Sequence, residues 1–126
     1  MMVRGIRGAI TVDHDEKDEI KSATLNLFQA ILVQNQLSPS DISCVFITAT
    51  PDISSVFPAE AIREIEDFRY VPVLCAQEID VKGAMPRCVR MLVLAMTRCE
   101  PREIKHVYLR GAQRLRQDLC EERKTQ

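Results

Sequence analysis

The chain has no tryptophan, two tyrosines and only four glycines among its 126 residues. Without a basic segment interleaved with aromatics, a nucleic-acid surface would rest on arginine count alone, so no nucleic-acid partner is expected. No GxxxxGK[ST], GxGxxG or GxSxG occurs, which leaves phosphate-loop, dinucleotide and serine-hydrolase readings without an anchor. Long apolar runs are missing too. The longest within a helix-like stretch, Met91 to Met96, has six residues, against about 20 for a bilayer span. The opening MMVRGIRGAITVDHDE meets Gly5, Arg7 and Gly8 before a signal-peptide core can build up. A cytoplasmic protein without a membrane helix is the expectation.

The five cysteines, Cys44, Cys75, Cys88, Cys99 and Cys120, are spaced by 31, 13, 11 and 21 residues, which fits neither a disulfide framework nor a zinc ligand pattern. They read as mostly buried free thiols. His14 stands among Asp13, Asp15 and Glu16, but an acidic first helical turn accounts for that cluster and nothing at helical spacing completes a ligand set, so no metal is expected.

What is present is an ordinary folding composition, 46% hydrophobic and 28% charged, at a length that favours one domain over 1–126, with 117–126 as a flexible C-terminal tail. The net charge of −1 hides a segregation: residues 13–19 carry five acids against one lysine, and residues 83–116 carry eight basic side chains against Glu100 and Glu103. Twelve of the seventeen cations are arginine, whose planar fork suits carboxylate or phosphate. This balance suits an anionic partner.

Met2 to Val12 reads as a strand, with Arg7 on one face beside Val3, Gly5, Ala9 and Thr11. Ile20, Ala23, Leu27 and Ile31 recur at three and four, predicting an amphipathic helix over Asp15 to Leu37. Ile42 to Thr50 suits a strand covered on both faces, Ala59 to Glu66 a short helix, and Tyr70 to Gln77 a strand that Pro72 places at an edge or bulge. Pro86 can open a further helix over Arg87 to Cys99, and Ile104 to Arg110 closes the order as a last strand. A βαβαβαβ order predicts an α/β fold, a sheet layered with helices. About four strands and short helices cannot cover such a sheet, so oligomerisation is the natural remedy.

Arg90 lies in strongly apolar company, between Val89 and the Met91 to Met96 run, where an unpaired charge is expensive unless an anion binds it. On a helix, Arg87, Arg90 and Arg98 would instead form a solvated basic edge. Arg7, among Gly5, Gly8 and Ala9, either faces open volume suited to a ligand or pairs with an acid across the sheet. Glu78 can accept from a ligand hydroxyl or neutralise an arginine. Cys75 is either inert packing or a nucleophile, and no basic neighbour in sequence favours the second.

The segments VRGIRGAITV, ATPDISSVFPAEAIRE, YVPVLCAQEIDV, RCVRMLV and HVYLRGAQRLRQDL, in that order over residues 2 to about 119, resemble the AroH class of monofunctional chorismate mutases. The resemblance implies a subunit with a mixed α+β sheet, three of which build a trimeric pseudo-α/β barrel with active sites between neighbours. It implies that chorismate, a dianion, is the substrate and prephenate the product, with no cofactor. One subunit would supply Arg7, Glu78, Arg90, Tyr108, Leu115 and Arg116, and its neighbour Phe57, Ala59, Arg63, Val73 and Cys75. Such a division would also reconcile Cys75 with Glu78, whose strand parities differ. Glu60 stands where related sequences usually show a basic residue. A trimeric carboxylate-binding or sensing protein without turnover is the alternative from another class.

Overall fold

The computed structural model describes residues 1–116. Five strands form one mixed sheet: β1 (Met2–Thr11), β2 (Ile42–Ala49), β3 (Val73–Gln77), β4 (Cys88–Thr97) and β5 (Val107–Leu109). Their spatial order is β3-β2-β4-β1-β5. The central strand β4 runs antiparallel to both β1 and β2, while β2 with β3 and β1 with β5 are parallel pairs.

One long helix, α1 (Lys17–Gln34), packs on one face of this sheet and presents Ile20, Ala23, Leu27, Phe28 and Ile31 to it. Its start is fixed chemically: the Glu16 carboxylate accepts from the backbone N–H groups of Asp18 and Glu19 at 3.1 and 3.0 Å, satisfying donors that a helix N-terminus leaves open. The buried hydroxyl of Thr24 donates to Ile20 O at 2.7 Å, so the apolar stripe carries no orphaned group. At the other end Asn35 donates to Ile31 O and Lys105 O and accepts from the Lys105 N–H, each at 2.9 Å. This side chain ties the helix terminus to the approach to β5.

Gly8 on β1 is where helix and sheet come closest. A Cβ there would stand 2.8 Å from Ile31 Cδ1, 2.9 Å from Leu27 Cδ1 and 3.1 Å from Val107 O. The volume that the missing Gly8 side chain leaves is therefore taken by α1, on the face opposite Arg7. A second, one-turn helix, α2 (Glu60–Arg63), buries Ala61 and Ile62. Phe28 meets Phe68 edge to face, with ring centroids 4.8 Å apart, a favoured aromatic geometry.

The stretch from Arg87 to Cys99, expected as a helix, is instead the strand β4. Val89, Met91, Val93 and Ala95 are buried against α1's face, and Arg90, Leu92, Leu94 and Met96 point the other way. Because both sets are mostly apolar, the period-two alternation that identifies a strand is nearly silent in the sequence, and a continuous apolar run fits helix or strand equally. The basic edge of Arg87, Arg90 and Arg98 disappears with the helix. The sheet thus has five strands rather than about four.

Other bounds contract. The helix expected over Ala59 to Glu66 shortens to Glu60–Arg63, and the last strand, expected from Ile104, reduces to Val107–Leu109. The strand expected from Tyr70 begins at Val73, after Pro72, and lies on the sheet edge. The expected tail over 117–126, with Cys120, lies outside the described residues, as does the side chain of Arg116. No helix among the described residues is long and apolar enough to cross a membrane.

Candidate active site

Strand pairing aligns five residues in one row across the sheet, on the face opposite α1. Ala76, Thr48, Arg90, Ala9 and Tyr108 follow one another from β3 to β5. The adjacent row is Leu74, Phe46, Leu92 and Arg7, so Arg7 and Arg90 are diagonal neighbours on β1 and β4, a relation that lets long side chains meet. Both line a cavity of about 370 Å³, together with Thr48, Phe46, Tyr108 and Leu115.

The polar groups around this cavity are only partly satisfied. Arg90 Nε lies 3.1 Å from Glu78 Oε2, yet its N–H is not aligned on that oxygen, and Nε is buried without a hydrogen bond. Tyr108 Oη is the other buried side-chain polar atom without a partner among the described residues. Leaving such a group unmade costs about 1–3 kcal/mol. For Arg90 the Glu78 charge offsets that cost, whereas the Tyr108 hydroxyl is left to a ligand oxygen. Among the described residues no acid pairs with Arg7.

Glu78 follows the end of β3, where its N–H continues the ladder to Ala49 O at 2.9 Å. Its Oε2 accepts from Thr48 Oγ1 at 2.6 Å. Arg90 is held through the start of its own strand. Arg87 adopts a left-handed backbone, φ 46°, which non-glycine residues seldom do. The Asp52 carboxylate compensates by accepting the Arg87 N–H at 2.9 and 3.1 Å, while Thr50 Oγ1 accepts the Cys88 N–H at 3.0 Å. Three residues before Arg90, the chain is clamped. Cys88 itself packs with Ala9, Tyr108 and Ala112, and burial pushes its thiol up to about 11 although the Arg90 charge pulls the other way.

The remaining candidates gather elsewhere. Phe57 and Cys75 line a second cavity of about 470 Å³ with Ser54, Ser55, Lys17 and Glu60. Cys75 aligns with buried Ile47, so it belongs to the face that α1 covers, whereas the Glu78 carboxylate sits by Thr48 and Arg90 on the other. The difference in parity is real within one chain. Ala59 and Val73 are buried and contribute backbone atoms. The Ala59 N–H donates to Cys75 Sγ at 3.3 Å, and Val73 O accepts from Arg63 Nη2 at 3.0 Å. Burial pushes the Cys75 thiol up, with the Ala59 N–H and the Arg63 charge opposing it. This is the reverse of what a nucleophilic cysteine needs.

A family model described as chorismate mutase type I matches residues 3–119. The chorismate mutase AroH of Bacillus subtilis is 44% identical over 119 residues, covering 94% of each chain. That of Thermus thermophilus is 47% identical over 119 residues, 94% of this chain and 97% of its own. The chain belongs to the type I chorismate mutases. A solved chorismate mutase from Clostridium thermocellum superposes with a TM-score of 0.84 at 36% identity, covering 87% of this chain and 97% of that one.

Within this type I chorismate mutase, sequence reasoning missed Thr48, Phe46 and Leu92 around the first cavity and Lys17 at the second. The first three could not be seen while β4 was read as a helix, because the strand puts Leu92 on the face of Arg90 and the β2–β4 register brings Thr48 and Phe46 beside it. Lys17 bears on Glu60, the acid at a position expected to be basic. Arg63 is tied to Val73 O, and the cation that lines the cavity with Glu60 is Lys17. His14, in the acidic cluster, lies 3.3 Å from Glu19 Oε2, and no group of three or more potential metal ligands occurs among the described residues.

Proposed function

We propose that this chain converts chorismate to prephenate in aromatic amino-acid biosynthesis in the cytoplasm. It works as a homotrimer whose sites join the Arg7–Arg90 cavity of one subunit to the Phe57–Cys75 cavity of the next. The observation that carries the reading is one cavity, in a chain of this family, lined by Arg7, by Arg90 ion-paired to Glu78, and by Tyr108, whose buried hydroxyl has no hydrogen bond among the described residues. The trimer is supported by the sheet face opposite α1, which leaves Val3, Phe46, Leu74 and Leu92 exposed. It is supported too by the two cavities sharing no lining residue.

The reaction is an intramolecular rearrangement in which the ether C–O bond breaks ahead of C–C bond formation, with no proton or group passing to the protein. What the protein must do is hold a flexible dianion in its compact conformer and stabilise the charge that separates as the ether opens. Near-attack positioning supplies part of this. A fixed guanidinium aimed at the oxygen that grows more negative supplies the differential part. A millionfold acceleration requires about 8 kcal/mol, of which one well-placed donor contributes about 3 or 4.

In this reading Arg90 donates to the ether oxygen and a carboxylate, and Arg7 to the enolpyruvyl carboxylate and the ether region. Glu78 accepts from the ring hydroxyl while orienting Arg90, and Tyr108 donates near the side-chain carboxylate. Phe57 and Leu115 exclude water, Ala59 and Val73 shape the neighbour's wall, and Cys75 makes a polar contact with the hydroxyl. Arg63 and Arg116, at the mouth, attract the dianion.

Purified protein mixed with chorismate alone, followed by the loss of chorismate absorbance, tests the activity directly. Binding without turnover would return the protein to the carboxylate-binding reading. The shared site has its own test. Co-expressing an Arg7→Ala chain with a Phe57→Asp chain, each inactive alone, should restore up to about a quarter of wild-type activity, the fraction of interfaces that combine two intact halves in a random cyclic trimer. Failure to restore any would place each site within one chain.

A further inference from the structure

Glu78 and Arg90 come from strands that are not neighbours. Glu78 follows β3 on the sheet edge, Arg90 sits in β4, and β2 runs between them. For the two side chains to meet, the carboxylate must lie across β2, and the β2 residue under that path is Thr48, in register with Ala76 on one side and Arg90 on the other. Its hydroxyl donates at 2.6 Å to Glu78 Oε2, the same oxygen that stands 3.1 Å from Arg90 Nε. Glu78 Oε1 meets no donor among the described residues.

We propose that Thr48 is a positioning residue of the reaction: its hydroxyl locks the Glu78 carboxylate so that Oε2 serves Arg90 and Oε1 is left to the substrate. A glutamate at the end of an edge strand has several rotamers to lose, and a charge-assisted hydrogen bond of this length is a strong way to select one. A hydroxyl suits the task because it fixes the acid without cancelling its charge. A lysine or arginine at 48 would fix it too, but would consume the charge that orients Arg90.

The inference rests on the chorismate mutase reading and adds a residue to it. In Thr48→Val, which keeps the shape and removes the donor, kcat should fall about tenfold while KM changes by less than about threefold. Thr48→Ser should stay within about threefold of the wild type. In a Glu78→Gln background the same Thr48→Val change should cost less than about twofold, because the carboxylate it orients is gone.

Thr48→Val turnover within twofold of the wild type would overturn the proposal, and so would a full tenfold cost in the Glu78→Gln background. Thr48→Ser as slow as Thr48→Val would do the same. If Thr48→Val does not fold, Thr48→Ala takes its place with the same expectations. If Glu78→Gln turns over too slowly to read, a crystal structure of the Thr48 variant decides: a Glu78 carboxylate displaced from Arg90 supports the proposal, and an unmoved one defeats it. Inactivity of the wild-type protein would instead strike the functional reading itself.

Discussion

The two faces of the sheet are built from the same strands and obey opposite rules. On the face under α1, Ile6, Ile10, Ile47, Val89 and Val93 are fully buried and packed with Leu27, Phe28 and Ile31. On the other, Arg7, Arg90 and Thr48 lie among Phe46, Leu74 and Leu92, which remain exposed. Strand β4 makes the contrast sharpest, since neighbouring residues such as Val89 and Arg90 belong to different faces. Parity decides whether a substitution is felt as lost stability or lost turnover.

The largest test of this division is Phe28→Ala, which should destabilise the fold by about 3–5 kcal/mol through the cavity it leaves, with turnover per folded molecule nearly unchanged in denaturant-titrated samples. Arg90→Ala should do the reverse. Its kcat should fall at least about a hundredfold with an unfolding midpoint close to wild type, and near-normal turnover would remove Arg90 from the mechanism.

Glycine substitutions compare the faces directly. Gly8→Ala forces a methyl to within 2.8 Å of Ile31 and against Val107 O and should cost about 1–3 kcal/mol. Gly5→Ala faces Leu92 Cδ1 at 3.3 Å, a flexible tip on the open side, and should cost less. Equal costs in thermal melts would mean the open face is packed as tightly as the covered one.

The smallest effect concerns the rim of the second cavity. Burial alone would raise the Asp15 carboxyl, but hydrogen bonds from Ser55 and Ser54 outweigh it and hold the group below its ordinary value of 3.8. A carboxyl depressed in the folded state stabilises above its unfolded pKa, and that contribution is lost as the pH falls through the folded value. Asp15→Asn should therefore lower the Tm slightly at neutral pH, by no more than about 2 °C for so exposed a group, and the gap should close as the pH drops below about 4. A gap that widens on acidification would contradict the assignment.

Much of the fold was legible because its signals are local. The α1 stripe and the β-branched and small residues of β1, which lack a helical period, each stand out within one segment, and Pro72 pointed to an edge or a bulge, of which the edge is found. The central strand was not legible, because a strand paired on both sides with apolar residues on both faces has no period to show. That one misreading also hid the site's neighbours, since Thr48 and Phe46 become relevant only once β2 and β4 are in register. The arginines around the first cavity could be suspected from their apolar surroundings. The assignment of Phe57 and Cys75 to a separate half came from family resemblance rather than from any pattern in the residues. Gly8 shows the limit of reading space from composition: smallness made room for a helix on the far side.

Cys88 has a bearing on the reach of the Arg90 field. A thiol at its ordinary value of 9.0 would be half ionised at that pH and would place a competing anion next to that guanidinium. With its own ionisation deferred to about 11, the sulfur stays silent well into alkaline solution, so Cys88 adds no second anion to the Glu78 carboxylate already beside Arg90, and that place is left to the incoming molecule.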